Sequence, residues 1–412
     1  MTTTESCPMS SIGERFNPLS EEQLEDPYSF YAEARREDPV FYSPAFHMWV
    51  VTRYSDARAV LGNPTIFSSR KTIDPIVDID PSAYGVLATG PAPVPVLVNS
   101  DPPDHGRFRR VLNRSFSPPR MRLLEPEIRE ITHAHIDAIE ALGRTDVMHA
   151  LAFPIPVRVI ARLLDVGDEH ADQLGRWGRS LIALISSALS TEQQVAAATD
   201  VVNLQRFMAE LVQRKRTEPG DDIASQMLAA GDDTFTEEEL VFQMTGLLVA
   251  GHETTTYMIG HAIHLLLREP EHWQAVVGDQ SLIPDAIEET LRADTSVPAF
   301  IRTATEDTEL SGRKIAQGEN VLVVFASANH DEEHFPDPGT FDLHRNAKVG
   351  HMGFGHGIHS CVGAGLARLE GRVVLETLAS RLPNLRLVPD QPLRHFPQLI
   401  FRGFERLDVE WD

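Results

Sequence analysis

Cysteine is almost missing from this chain: its 412 residues include two, Cys7 and Cys361. One possible bridge cannot organise a fold of this size, and four-cysteine zinc or iron–sulfur sites are excluded. Cys7 sits in a polar N-terminal stretch and reads as a bystander, which leaves Cys361 to be explained. Without a disulfide framework, a reducing cytoplasm is the expected compartment. Long apolar runs are missing as well. The opening residues, MTTTESCPMSSIGERFNPLS, lack the apolar core of a signal peptide. No stretch reaches about eighteen apolar residues, so no membrane span is expected. The richest, Leu240 to Leu267, carries Glu253 with several Thr and His and reads as a buried helix of a soluble protein. Basic residues are in deficit, 37 Lys and Arg against 60 Asp and Glu, for a net charge of −23. That argues against a nucleic-acid surface spread over the molecule. Repeats, low-complexity linkers and breaks in composition are absent too. Residues 21–412 are therefore expected to form one domain, with the polar segment 1–20 belonging to it.

What is present reads as mainly α with a minor β region. Residues 48–53 (MWVVTR) predict a short strand and SDARAVL after them a helix. Residues 72–99, with five Pro and two Gly and no period, read as one long loop. Helical patterns fill about 120–280, another helix is expected near 284–294, and NVLVVFASA (320–328) reads as a second strand region. One helix can be drawn in detail. Thr236 and Glu239 form a Thr-x-x-Glu capping box, Phe235 and Leu240 take the places of a hydrophobic staple, and Pro270 closes the other end. The helix between would run about 30 residues, or roughly 45 Å. Its middle, Ala250-Gly251-His252-Glu253-Thr254-Thr255-Thr256, is a poor helix former: glycine costs about 1 kcal/mol against alanine, and three β-branched threonines lower propensity further. Something other than packing is served there.

The strongest local pattern surrounds Cys361: Phe354-Gly355-His356-Gly357-Ile358-His359-Ser360-Cys361-Val362-Gly363, or Phe-x-x-Gly-x-x-x-Cys-x-Gly. Gly357 and Gly363 permit a tight turn and close approach of backbone to a flat cofactor. Leu366, Leu369 and Val373 follow at helical spacing, which puts Cys361 at a helix N-terminus, where free N–H groups and the helix dipole favour a thiolate. A small buried cysteine beside a glycine turn remains open, as does a phosphate loop, although no Lys-Ser/Thr completes one.

This segment resembles the haem-binding signature of the cytochromes P450, and three further motifs resemble those of the same family in the same order. Asp101-Pro102-Pro103-Asp104-His105-Gly106-Arg107-Phe108-Arg109 is similar to the entry to the helix that holds the haem propionates. Ala250-Gly251-His252-Glu253-Thr254-Thr255 resembles the oxygen-activation motif, and Glu289-Thr290-Leu291-Arg292, with Arg345, the family's Glu-x-x-Arg and its later arginine. The resemblance covers nearly the whole chain. It implies a triangular prism of helices with small sheets and haem b between the long central helix and the helix after Cys361. In that frame Cys361 is the axial thiolate, which favours O–O cleavage. Glu253 and Thr254 are the acid–alcohol pair that delivers protons. His105, Arg109, Arg302 and His359 bind the propionates, and Ala250, Phe354, Gly355 and Gly363 lie along the cofactor. Leu247, Ala250, Val297, Phe300 and Leu399 line an apolar substrate pocket, to which loop 72–99, about 175–210 and 398–400 also contribute.

Three stretches, Asp38–Pro44, Trp49–Tyr54 and Ser327–Glu332, resemble haem domains of self-sufficient bacterial P450s, in which a flavin and iron–sulfur reductase is fused. The sequence given ends at Asp412 with no such extension, so the resemblance implies a separate ferredoxin and ferredoxin reductase carrying electrons from NAD(P)H. It further implies hydroxylation or oxidative dealkylation of a small hydrophobic molecule with O2. Two alternatives are a peroxide-driven fatty-acid hydroxylase or decarboxylase, which usually lacks the acid–alcohol pair, and a haem ligand sensor without turnover. Between His105 and Arg122 stand six arginines (107, 109, 110, 114, 120 and 122) and no acid. In so acidic a chain this island is either a solvated helix face or a docking site for an acidic electron donor, with Arg107, Arg110 and Arg114 as candidates.

These assignments turn on the sulfur. The reduced holoprotein under carbon monoxide is expected to show the red-shifted Soret band of thiolate ligation, and Cys361→Ala to lose both that band and bound haem. Full haem content and an unchanged band in the variant would overturn the ligand assignment.

Overall fold

The computed structural model describes residues 11–231, 234–345 and 350–412. Cys7 and the first half of the polar segment 1–20 lie outside the described residues. The molecule is built around the helix Glu237–Arg268, 32 residues long. Both halves of its capping box are made: the Glu239 amide donates to Thr236 Oγ1 at 3.2 Å, and the Thr236 amide to Glu239 Oε2 at 2.9 Å. The staple residues Phe235 and Leu240 are both buried. Helices Pro118–Ile139, Pro154–Leu163, Ala171–Ser186, Thr191–Thr217 and Ala364–Arg381 pack around it or around one another. Among the described residues no helix is long and apolar enough to cross a membrane.

Sheet structure is small and peripheral. Five strands run in the order Val40–Ser43, Met48–Val51, Asn320–Val324, Ala299–Ala304, Phe67–Ser68. Arg302 pairs with Val321 and Phe300 with Val323. Because strand side chains alternate between faces, Phe300 and Arg302 leave the same face, and both line the central cavity. The region 320–328 is strand only to Val324, then turns into a short helix, Phe325–Ala328. The partner strand is preceded by Pro298, which has no N–H to extend the ladder; its carbonyl accepts from the Ala326 amide instead. A three-stranded sheet joins Arg144–Asp146, Asp408–Glu410 and Arg386–Leu387, and a two-stranded ladder joins Thr308–Leu310 and Arg313–Ile315.

The segment 72–99 is not one loop. Asp80 accepts from the Ser82 amide at 2.8 Å and, with Pro81 in the first turn, starts the helix Pro81–Leu87. That helix packs on Thr191–Thr217.

The Glu-x-x-Arg pair is a buried knot. Arg292 holds Glu289 through two parallel bonds of 2.8 Å, and Arg345 Nε reaches Glu289 Oε1 at 3.0 Å. The remaining guanidinium N–H groups donate to carbonyls of Asn329, Pro338 and Thr340 from Arg292, and of Pro336, Asp337 and Thr340 from Arg345. One carboxylate thus fixes two arginines, which pin the segment 329–345 leading into the cysteine loop. Removing it leaves two cations without their counterion. Glu289→Ala is expected to destabilise the holoprotein by about 3–5 kcal/mol, read by denaturant unfolding; a loss below about 1 kcal/mol would overturn this account.

Candidate active site

The Phe354–Cys361 loop is closed by a hydrogen bond from the Cys361 amide to the Phe354 carbonyl at 2.9 Å. Gly355 and Gly357 take φ of +69° and +73°, and a Cβ on Gly357 would come within 2.3 Å of the Leu61 carbonyl oxygen. Only glycine allows that turn. The helix begins at Ala364, capped by Gly363, so Cys361 precedes its first turn. The sulfur opens onto an internal cavity of about 240 Å³, which it shares with Leu247, Ala250, Thr254, Val297, Phe300 and Arg302. It faces this cavity and lies below the protein surface. Burial pushes its thiol up, against the Gly363 and Ala364 amides and the charges of Arg109 and Arg368. The helix N-terminus therefore does not by itself yield a thiolate. A cation bonded to the sulfur would.

Four basic residues gather beside the loop. Arg302 is 4% exposed and donates to Thr72 Oγ1 and the Ile301 carbonyl, with no carboxylate in ion-pair contact among the described residues; burial lowers its pKa to about 10 against the charge of Asp101. Arg109 donates to the Ser360 carbonyl at 2.5 Å and, through Nε, to Asn113. The rings of His105 and His359 meet edge to face at 4.4 Å, and the Nε2 atom of each is buried without a partner. Burial lowers His359 to about 3 and draws His105 down as well. Buried cationic and donor groups without acceptors call for an anion. Haem fits: its propionates would satisfy Arg302, Arg109, His105 and His359, its iron would bond Cys361, and Gly363, whose Cβ would stand 3.9 Å from the sulfur, keeps that face open.

The central helix presents two different faces. Gln243, Leu247, Ala250, Thr254 and Met258 line the cavity at helical spacing. Thr254 Oγ1 donates to the Ala250 carbonyl at 2.6 Å. Glu253 leaves on the other face, fully buried; its Oε1 lies 3.5 Å from His252 Nδ1. Burial raises its carboxyl to about 7, against Arg179 and Tyr257; neither oxygen completes a well-formed hydrogen bond. It can hold a proton at neutral pH.

Several expectations need correction. Leu399 is buried but does not line the cavity, and neither do 175–210 or the rest of 398–400; of 72–99, only Val96, Leu97 and Val98 do. Arg107 is not free for docking: it grips both oxygens of Glu239 at 2.7 and 2.8 Å, tying the helix Asp104–Ser115 to the cap of the central helix. Arg120 is engaged by Asp221 at 2.9 Å. Arg110, Arg114 and Arg122 are exposed. Sequence reasoning missed Phe116, Ile160, Gln243 and Ser296 on the cavity wall; for Gln243 the signal was available, one helical turn before Leu247 on the same face.

Comparison with known proteins decides the family. The cytochrome P450 family model matches residues 190–395. The vitamin D(3) 25-hydroxylase of Pseudonocardia autotrophica is 38% identical over 393 residues, covering 93% of this chain and 94% of that protein. The chain belongs to the cytochrome P450 family. As a P450 it is a haem-thiolate monooxygenase. The mycinamicin IV hydroxylase/epoxidase of Micromonospora griseorubida is also 38% identical, over 92% of this chain and 94% of that protein. In three dimensions this P450 is similar to an intact type IV self-sufficient cytochrome P450 monooxygenase, with a TM-score of 0.95 and 35% identity. That match takes in all of this chain and 55% of the other.

The Glu253 carboxyl gives a pH test. Its folded pKa, about 7, exceeds its ordinary value of 4.5, so the native state keeps a proton that the unfolded state has released. Stability from this group is complete below pH 4.5 and is lost as pH rises through about 7, by about 3 kcal/mol. Glu253→Gln lacks that loss, so its stability relative to the parent is expected to rise between pH 5 and 8 in denaturant titrations. A gap that does not change with pH would overturn the assignment.

Proposed function

We propose that this P450 inserts one atom of O2 into a small hydrophobic organic molecule, by hydroxylation or oxidative dealkylation. The supporting observation is one cavity that Cys361 and Thr254 share with the apolar side chains of Leu247, Val297 and Phe300. When bound, haem supplies O2 activation and oxygen transfer. The protein's own groups do the rest. Cys361 would hold the iron, and Arg302, Arg109, His105 and His359 the propionates, while Ala250, Phe354, Gly355 and Gly363 would lie along the ring. The Thr254 hydroxyl, with its proton given to the Ala250 carbonyl, keeps lone pairs facing the cavity and can order a water there. Glu253, its carboxyl pushed up to about 7 by burial, holds a proton at neutral pH and can release it once its side chain swings from the far face toward that water, as a general acid should. The apolar wall excludes other water and selects an apolar substrate.

Electrons would come from NAD(P)H through a reductase and an acidic iron–sulfur protein of the ferredoxin type. Arg110, Arg114 and Arg122, exposed on a chain of net charge −23, are the complementary surface.

The test is turnover of the holoenzyme with ferredoxin, reductase, NADH and isotopically labelled O2 on small aromatic ethers and amides, preselected by a substrate-induced Soret shift. One labelled oxygen atom per product is expected, and Glu253→Gln should slow turnover by about 10²–10⁴-fold while leaving the Soret titration unchanged. Charge reversal at Arg110 and Arg114 should slow reduction by ferredoxin and flatten its salt dependence. Undiminished turnover in Glu253→Gln would overturn the proton-delivery role, and unchanged reduction kinetics the docking role.

A further inference from the structure

Beside the C-terminal half of the central helix, outside the haem cavity, three potential ligands meet that the P450 reaction does not use: His261 on that helix, Asp294 and His395. One ligand atom from each lies within 4.8 Å of the others. His261 is fully buried, and its Nδ1 stands 2.7 Å from the main-chain oxygen of Asp294. A carbonyl can only accept, so Nδ1 carries the proton. In the neutral ring Nε2 is then a bare lone pair, and it has no partner. This is how metal-binding histidines are oriented, by an outer hydrogen bond from the other ring nitrogen.

The Asp294 carboxylate is divided in the same sense. Its Oδ1 accepts from Arg402 Nε at 2.8 Å and from the Tyr28 hydroxyl at 2.9 Å, while Oδ2 faces His261 Nε2 at 3.8 Å. Both ring nitrogens of His395 are buried and unpartnered. The His395 ring lies 4.6 Å from the Phe404 ring and the His261 ring 5.2 Å from it, so Phe404 walls one side.

We propose that His261 Nε2, His395 and Asp294 Oδ2 bind a divalent transition-metal ion, with Zn²⁺ as the probe, at a site separate from the haem. Two imidazoles and one carboxylate are a zinc-type donor set, whereas Mg²⁺ and Ca²⁺ need oxygen ligands. Adjacent ligands of a tetrahedral zinc ion sit roughly 3.3 Å apart, so the three groups close on it with shifts of about 1 Å. Arg402 engages Asp294 through Oδ1 and leaves Oδ2 for the ion. The ion would clip together the central helix, the end of the helix Ile283–Ala293 and the C-terminal segment around His395. Asp294 sits between Leu291 and Ser296, which line the haem cavity, so the clip would stiffen that wall.

The test uses the haem-loaded protein, stripped of adventitious metal by a chelator, given one equivalent of ZnCl₂ and desalted. One zinc per haem iron is expected by atomic emission. Zinc K-edge absorption should give an all-N/O shell at about 2.0–2.1 Å with scattering from two imidazoles, and the melting temperature should rise by several degrees. His395→Ala, at a half-buried position, and His261→Gln, whose amide can still donate to the Asp294 carbonyl, should each weaken zinc binding more than tenfold with the thiolate–CO band intact. His133→Ala, at an exposed position, should bind as the parent does. Failure of the parent to retain zinc, retention undiminished by His395→Ala, or a spectrum with fewer than two imidazoles would overturn the site. Should both variants misfold, the zinc count and absorption spectrum of the parent decide alone.

Discussion

A sulfur atom buried at the edge of an apolar cavity is the constraint on which the rest depends. Cys361 is held where its own burial opposes ionisation, and the two amides and two arginines around it do not overcome that. The site becomes consistent once a cation is bonded to the sulfur and an anion meets the buried charge of Arg302 and the unpartnered ring nitrogens of His105 and His359. Both demands come from one molecule, an iron porphyrin with carboxylate arms. Polar groups that look unsatisfied are therefore the imprint of a cofactor.

The central helix answers a second constraint. It must be long enough to cross the molecule, yet interrupted where the chemistry occurs. Its capping box and staple fix the start, and Arg107 clamps that start from another helix. In the middle, Gly251 lets Ile160 approach, with a Cβ there only 3.2 Å from the Ile160 side chain. Thr254 turns its hydroxyl back to the Ala250 carbonyl, and Glu253 leaves on the opposite face with no hydrogen bond of its own. Farther along the same helix, Tyr257 and His261 continue the buried polar line at four-residue steps, with Asp294 and His395 beyond it. One helix thus separates a mostly apolar face toward the cavity, interrupted by Gln243 and Thr254, from a buried face carrying Glu253, Tyr257 and His261.

Much of this is legible in the sequence. The Cys361 loop, the capping box of the central helix and the four ordered family motifs rest on neighbours within a few residues. The errors have a common physical origin. Arg107 read as a free surface charge because its partner Glu239 is 132 residues away. Leu399 read as pocket-lining because its segment, not its side-chain direction, was inferred. The helix Pro81–Leu87 was hidden in a Pro- and Gly-containing stretch whose packing partner, Thr191–Thr217, is remote in the chain.

The resemblance to the P450s implied the acid–alcohol pair and the propionate-binding residues; the sequence by itself showed Cys361 in a glycine turn and a weak, polar centre in the long helix. Those are local patterns, set by backbone geometry and helical period. Tertiary structure alone decided which arginines are engaged, that Thr254 faces the cavity while Glu253 does not, and that His261, Asp294 and His395 converge. Each of those depends on contacts between residues far apart in the chain, which no periodicity within a single segment encodes.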